Sequence, residues 1–282
     1  MFNFFNLNYR SFYFKRKIKS SAQNFSNNKY WINYQKFRDP DGKIRNLSNE
    51  YLKKKNDLKN EISFLKKKYG NKKIRILDLG SGFGFFLKAL PKKWDKCGIE
   101  LSKLASKDSQ KWSSIYNFNI EEIFSISEKK TLGKFDIIFS YHVIEHLKKP
   151  HNFLINVQTL LKKNGMFLIG TPNFDSGCAK LFKNKYRFFT DPTHISFFSE
   201  NSLFRMLETY GFQITNIDYP YFETPHFNLS NLKKLFNKKK ERVSPSFYGN
   251  IMTFYCKKKT KKNFFDEIRY KKNIFSKILV LD

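Results

Sequence analysis

Three stretches of this sequence hold residue types suited to chemistry. The first is Asp78-Leu79-Gly80-Ser81-Gly82-Phe83-Gly84, which follows the apolar run Ile74-Arg75-Ile76-Leu77. Glycine tolerates positive φ and lets a ligand approach the backbone closely, so a strand that ends in a glycine turn suits a polar cofactor. The dinucleotide fingerprint G-x-G-x-x-G fails, because Phe85 stands where its last glycine belongs, and the phosphate loop G-x-x-x-x-G-K-[ST] is absent. The next short apolar run, Cys97-Gly98-Ile99, ends in Glu100, whose carboxylate offers two acceptor oxygens, enough for a pair of ribose hydroxyls.

The second stretch is His142-x-x-Glu145-His146. It matches the H-x-x-E-H pattern of a zinc peptidase group. A catalytic zinc needs its ligand pair on an extended helix and a third ligand; this run follows a strand and meets Pro150, so that reading is rejected. The third stretch runs from Thr171 to Ser199 and gathers Asn173, Asp175, Arg187, Asp191 and His194 among aromatic residues. A long loop with so many different polar groups reads as a lid over a substrate, with Asn173, Asp175, Arg187 and Asp191 as contacts. Histidine titrates near neutrality and suits a general base, which makes His142 and His194 the catalytic candidates. His194 is preferred, because His142 is placed to order the Glu145–His146 turn.

An acidic residue, one spacer and G-x-G-x-G resemble motif I of the class I S-adenosylmethionine-dependent methyltransferases, a resemblance that covers roughly residues 70–257. It implies that Gly80, Ser81, Gly82 and Gly84 cradle the amino-acid end of S-adenosylmethionine with Asp78 in support. It further implies that Glu100 holds the ribose, that Asn119 and Ile120 meet the adenine where the family often has Asp, and that Tyr141 borders the cofactor. Val143-Ile144-Glu145-His146 resembles a segment shared with the ubiquinone-biosynthesis O-methyltransferases, some of which carry E-x-x-E-H and use a divalent metal. Here His142 replaces the first Glu. The favoured reading is that Glu145 and His146 order the turn and no metal binds; the alternative makes His142, Glu145 and His146 ligands. Arg38–Lys43, Tyr221–Pro225 and Ser244–Asn250 resemble a bacterial subgroup tied to surface-polysaccharide or small-molecule biosynthesis.

The elements that must position these residues follow from periodicity. Strands are expected at 74–79, 97–100, 114–118, 135–140, 165–170, 212–219 and 251–257, and helices at 49–69, 85–90, 101–112, 151–162 and 201–210. Alternation of strand and helix over 74–170 calls for a Rossmann-like α/β fold: a doubly wound, mostly parallel seven-stranded sheet with helices on both faces. The organisation expected is a basic extension over 1–48 that contributes to a substrate cap, a methyltransferase domain over 49–257 with a lid near 171–200, and a Lys-rich tail over 258–282.

Composition bounds the partners. The net charge is +30, which suits a polyanion such as nucleic acid or an anionic membrane. Abundant Lys, Asn, Phe, Ile and Tyr with sparse Arg and Ala also match the coding habit of an AT-rich genome, and the lysines are dispersed. The favoured reading is therefore that nucleic acid is not the partner. Three widely spaced cysteines make no metal or disulfide framework and fit a reducing, cytoplasmic compartment. No apolar run is long enough for a transmembrane helix. The function expected is methyl transfer to a small-molecule or sugar acceptor, most simply at a hydroxyl oxygen. The rivals are an RNA methyltransferase, which lacks here the N-P-P-Y-type tetrapeptide of amino-methylating enzymes, and a non-catalytic protein of the same fold that binds a partner.

Overall fold

The computed structural model describes residues 13–15, 47–70, 72–191, 193–219 and 228–259. Its sheet is built from β1 (Arg75–Leu79), β2 (Asp95–Ile99), β3 (Ser114–Tyr116), β4 (Phe135–Tyr141), β5 (Leu161–Pro172), β6 (Phe212–Asp218) and β7 (Ile251–Lys258). The spatial order is β3-β2-β1-β4-β5-β7-β6. Strands β1 to β5 pair in parallel, and β7 runs antiparallel to both β5 and β6. The Rossmann-like α/β class expected from the sequence is therefore the one that forms. The order reverses beside β1, so the carboxyl ends of β1 and β4 face the crevice where open sheets of this kind bind ligands.

Both faces of the sheet are buried, which explains the continuous apolar runs of β1, β4 and β5. On one face Leu77, Ile138, Phe167 and Phe254 pack with α6 (Pro150–Leu160) and α9 (Glu200–Thr209). On the other, Ile76, Phe139, Tyr141 and Leu168 pack with α2 (Lys59–Tyr69) and α3 (Phe85–Ala89). Helix starts follow local chemistry. Ser102 caps α4 (Lys103–Ser109), Ser125 and Glu128 form a capping box on α5 (Ile126–Leu132), and Pro150 sits in the first turn of α6.

The single helix expected over 49–69 is instead two, α1 (Leu47–Asp57) and α2, broken at Leu58. Leu58 is fully buried, and each half follows a different partner: α1 lies against α3, while α2 crosses the sheet with Phe64 against Tyr255. Periodicity shows the apolar face of each half but not this change of partner. The strand at 165 starts earlier, at Leu161, and cuts α6 short of the expected 162. Between β5 and α9 the chain forms α7 (Gly177–Phe182) and α8 (Arg187–Thr190). Ser196–Phe197 then pairs antiparallel with Phe14–Lys15 from the N-terminal region. Residues 1–12, 16–46 and 260–282 lie outside the described residues, and with them Arg38–Lys43 and most of the N-terminal extension and tail. So does Tyr221–Pro225.

One buried charge sits in this frame. Glu61 of α2 is completely buried; its Oε1 accepts from Thr253 Oγ1 at 2.8 Å, and its Oε2 has no hydrogen-bond partner among the described residues. Burial pushes its carboxyl up to about 7, against the hydrogen bonds and the nearby charge of Lys54, which pull it down. Because the folded chain holds this proton more tightly than the unfolded chain, folding stability rises as pH falls through 7 toward the ordinary carboxylate range. Glu61→Gln is expected to stabilise the protein by about 1–3 kcal/mol near pH 8.5 and by almost nothing near pH 5. Thermal melts of both proteins at the two pH values check this; an equal gain at both would show that the charge is not the cause.

Candidate active site

The glycine turn after β1 is fixed by its neighbours. The backbone N–H groups of Gly80 and Ser81 donate to the Ile99 carbonyl at 2.9 and 3.1 Å, which ties the turn to the end of β2. Gly80 has φ +76°, and a Cβ there would stand 2.5 Å from Val143 Cγ2, so only glycine fits. That contact also sets the turn after β4 directly against the loop. Glu100 is buried and grips the same loop: its Oε2 accepts from Gly82 N–H at 2.9 Å and its Oε1 from Ser102 N–H at 2.8 Å. Burial raises the Glu100 carboxyl above its ordinary range, against these backbone donors.

Asp78, at 3% exposure, is pushed up to about 7 by burial, with Lys54 pulling it down and Glu100 adding repulsion. Lys54 of α1 places its Nζ 4.8 Å from the centre of the Tyr141 ring. The ring itself lies across β5, where Gly170 leaves the space; a Cβ there would stand 2.1 Å from Tyr141 Cδ2. Ile120 is buried in the core, whereas Asn119 is exposed and its Oδ1 accepts from Glu121 N–H at 3.0 Å. Asn117 joins the β2 and β3 ends by donating to the Glu100 carbonyl and to Ser106 Oγ. These groups fit a cofactor with a ribose, an amino-acid end and a positive centre. Gly80 and Gly84 have no room for a Cβ, Ser81 Oγ is buried with no hydrogen-bond partner among the described residues, and a cation already rests on the Tyr141 face.

The turn after β4 carries the second part of the site. His142 sits at φ +59°, a strained value for a residue with a side chain, and its N–H donates to the Gly170 carbonyl. Its Nδ1 lies 3.0 Å from Glu145 Oε1, and Glu145 Oε2 accepts from Thr171 Oγ1 at 3.0 Å. Glu145 is buried, which raises its carboxyl, yet the facing imidazoles of His142, His146 and His194 outweigh that and hold it well below the ordinary range. Burial lowers His142, His146 and His194, so each favours the neutral ring. A carboxylate or carbonyl opposite Nδ1 requires the proton there and leaves the lone pair on Nε2. This applies to His142 facing Glu145, to His146 facing the Thr193 carbonyl at 3.1 Å, and to His194 facing the Phe188 carbonyl at 2.9 Å.

The structure brings His142, His194, Glu145, His146 and Asp191 together and leaves other candidates apart. Glu145, His146 and His194 offer ligand atoms within 4.8 Å of one another, a set with two neutral nitrogens and one carboxylate oxygen. His142 turns to Glu145 and is not in that set. Asp191 Oδ1 accepts from Thr193, and its Oδ2 lies 3.8 Å from His194 Nε2. Asn173 is buried as a turn residue: its Oδ1 accepts from Asp175 N–H and its carbonyl from the Tyr186 hydroxyl. Asp175 faces outward in an ion pair with Lys180, and Arg187 holds Ser244. Sequence reading missed Lys54, Thr171 and Asn117. Lys54 reads as one more solvated lysine, and the other two carry no motif.

Residues 48–217 match the family profile described as a methyltransferase domain. A ubiquinone biosynthesis O-methyltransferase of Pelagibacter ubique is 27% identical over 146 residues, 48% of this chain and 59% of that protein. An uncharacterized protein of Methanocaldococcus jannaschii is 28% identical over 160 residues, 55% of this chain and 71% of that protein. The chain thus spans less than two thirds of the length of the first curated relatives it matches, 59% and 41%. Among solved structures, the 1,6-didemethyltoxoflavin-N1-methyltransferase of Burkholderia thailandensis, solved with 1,6-didemethyltoxoflavin and S-adenosylhomocysteine bound, has a TM-score of 0.52. It is 12% identical and the match covers 88% of this chain and 96% of that one, so the likeness is one of fold.

Glu100→Ala removes the grip on Gly82 and Ser102, together with the carboxylate expected to meet the ribose. It should weaken S-adenosylhomocysteine binding by roughly 10²-fold, which calorimetry reads directly. Parental affinity in a variant with an unchanged melting curve would place the cofactor elsewhere.

Proposed function

This chain belongs to the class I S-adenosylmethionine-dependent methyltransferase family, and from that premise we propose that it methylates a small-molecule or sugar hydroxyl with His142 as general base. The observation that carries the reading is the His142–Glu145–Thr171 chain, set against the cofactor loop through the Val143–Gly80 contact. The name of the Pelagibacter relative supports a small-molecule oxygen acceptor.

S-adenosylmethionine supplies a methyl group activated by its sulfonium charge. The chain's own part is to align the acceptor oxygen in line with that methyl and to take up its proton. Thr171 holds Glu145, and Glu145 fixes the His142 ring with the proton on Nδ1. His142 Nε2 would then hold the hydroxyl proton as the oxygen–carbon bond forms and the sulfonium–carbon bond breaks to leave a neutral thioether. This proposal reverses the preference for His194 drawn from the sequence. The His194 side chain is 6% exposed, against 28% for His142, and its Nε2 is turned toward Asp191. Asn173, Asp175 and Arg187 act in this reading by shaping the segment over the site, and Asp191 by holding His194.

His142→Ala is expected to cut turnover by roughly 10²–10⁴-fold with S-adenosylmethionine affinity nearly unchanged, and added imidazole should restore part of the rate. Turnover within a few fold of the parent, with chemistry rate-limiting, would refute the base assignment.

A second reading rests on the convergence of Glu145, His146 and His194. Metal-ligating histidines commonly donate their other N–H to a carbonyl, as His146 and His194 do. These three residues would hold a divalent ion of the zinc or manganese class, which would polarise an acceptor oxygen. Calorimetric titration with zinc or manganese should then show a site that His194→Ala abolishes, with S-adenosylhomocysteine binding kept; no binding by the parent rejects this reading.

A further inference from the structure

Helix α10 (Leu229–Phe236) lies between β6 and β7 and has two unlike faces. One face is anchored. Leu235 packs with Phe247 against the cluster of Cys178, Ala179 and Tyr186, and Asn231 Nδ2 donates to the Ser246 carbonyl at 2.9 Å. The other carries Leu229, Leu232 and Phe236, which share one stripe at i, i+3 and i+7. They are 65%, 39% and 82% exposed. Leucine and phenylalanine on a solvent-facing stripe leave apolar area in water that the rest of this fold buries.

Basic charge borders the stripe along the chain. Lys233 flanks it, and Lys238, Lys239, Lys240 and Arg242 follow it, all exposed. The stretch is held in place: Lys185 Nζ donates to the Glu241 carbonyl at 2.9 Å, and Arg187 donates to Ser244. The face is therefore fixed on the segment that contains α7 and α8, not on the back of the sheet.

We propose that this face of α10 docks on an anionic lipid bilayer. Its apolar stripe enters the headgroup–acyl boundary while the lysines and Arg242 meet lipid phosphates. An apolar stripe rimmed by basic residues is the composition of an interfacial helix. Basic residues near an anionic surface add attraction that falls off within a Debye length. Nucleic acid would use the lysines but has no use for exposed Leu229 and Leu232. No described helix is long and apolar enough to cross a membrane, so the mode is adsorption and not spanning.

The test is cosedimentation of the full chain with vesicles of phosphatidylcholine containing about 30% phosphatidylglycerol, and with phosphatidylcholine alone, at about 150 mM salt. The parent should bind the anionic vesicles and not the neutral ones. Leu229→Ser combined with Phe236→Ser should weaken that binding about tenfold or more. Lys238→Glu, Lys239→Glu and Lys240→Glu together should do the same and remove most of its salt dependence. All these side chains face solvent, so the melting curve and S-adenosylhomocysteine binding should stay as in the parent; should the apolar variant fail to fold, the lysine variant decides alone. The proposal is overturned if the parent ignores anionic vesicles or if the variants bind as the parent does. It is also overturned if light scattering shows a dimer that Phe236→Ser dissolves without any vesicle binding, or if RNA is bound tightly and vesicles are not.

Discussion

A carboxylate taken out of water stays charged only when hydrogen-bond donors meet its oxygens, and Glu145 has one for each oxygen in this chain. Its two oxygens are used by His142 and Thr171, from the ends of β4 and β5. Its carbonyl accepts from Ile195, which draws the segment after α8 down to the same point. His146 and His194 complete the ring of imidazoles around it. Without this anion His142 would lose the group that orients its ring, whereas His146 and His194 would keep the Thr193 and Phe188 carbonyls.

The side proposed for the cofactor follows a parallel rule with the opposite sign. Asp78, Glu100 and, farther along the same layer, Glu61 are carboxyl groups that burial pushes upward. The positive charge that acts on Asp78, Glu61 and His142 alike comes from Lys54, which rests over Tyr141. A site built from buried acids and an aromatic face favours a cationic ligand, because bringing in positive charge relieves repulsion already present in the fold. The chain's large net charge of +30 is thus a property of its surface and not of this crevice.

That surface is not uniform. Most lysines form dispersed solvated faces, which fits a compositional origin. The run beside α10 differs because it borders an apolar stripe and is hydrogen-bonded into a defined position. Charge becomes informative about a partner where it coincides with a second feature that water disfavours.

What the sequence by itself determined is the part governed by local constraints. Continuous apolar runs placed the strands, and β7 antiparallel between β5 and β6 changed only the edge. Motif I marked the loop because glycine alone satisfies the backbone at Gly80, and Glu100 at the next strand end was legible as a candidate ribose acceptor, while its hold on Gly82 came only from the fold. The helix cap at Ser102 was likewise local. Only the tertiary structure decided how the histidines are used. His142, Glu145, Thr171 and His194 come from different elements, and no spacing in the sequence says which imidazole faces a carboxylate and which a carbonyl. The same holds for Lys54 and for the break at Leu58, since both depend on what lies across the sheet. Local chemistry fixes conformations residue by residue. Protonation and orientation of buried groups depend on the sum of fields and donors around them, and that sum exists only once the chain has folded.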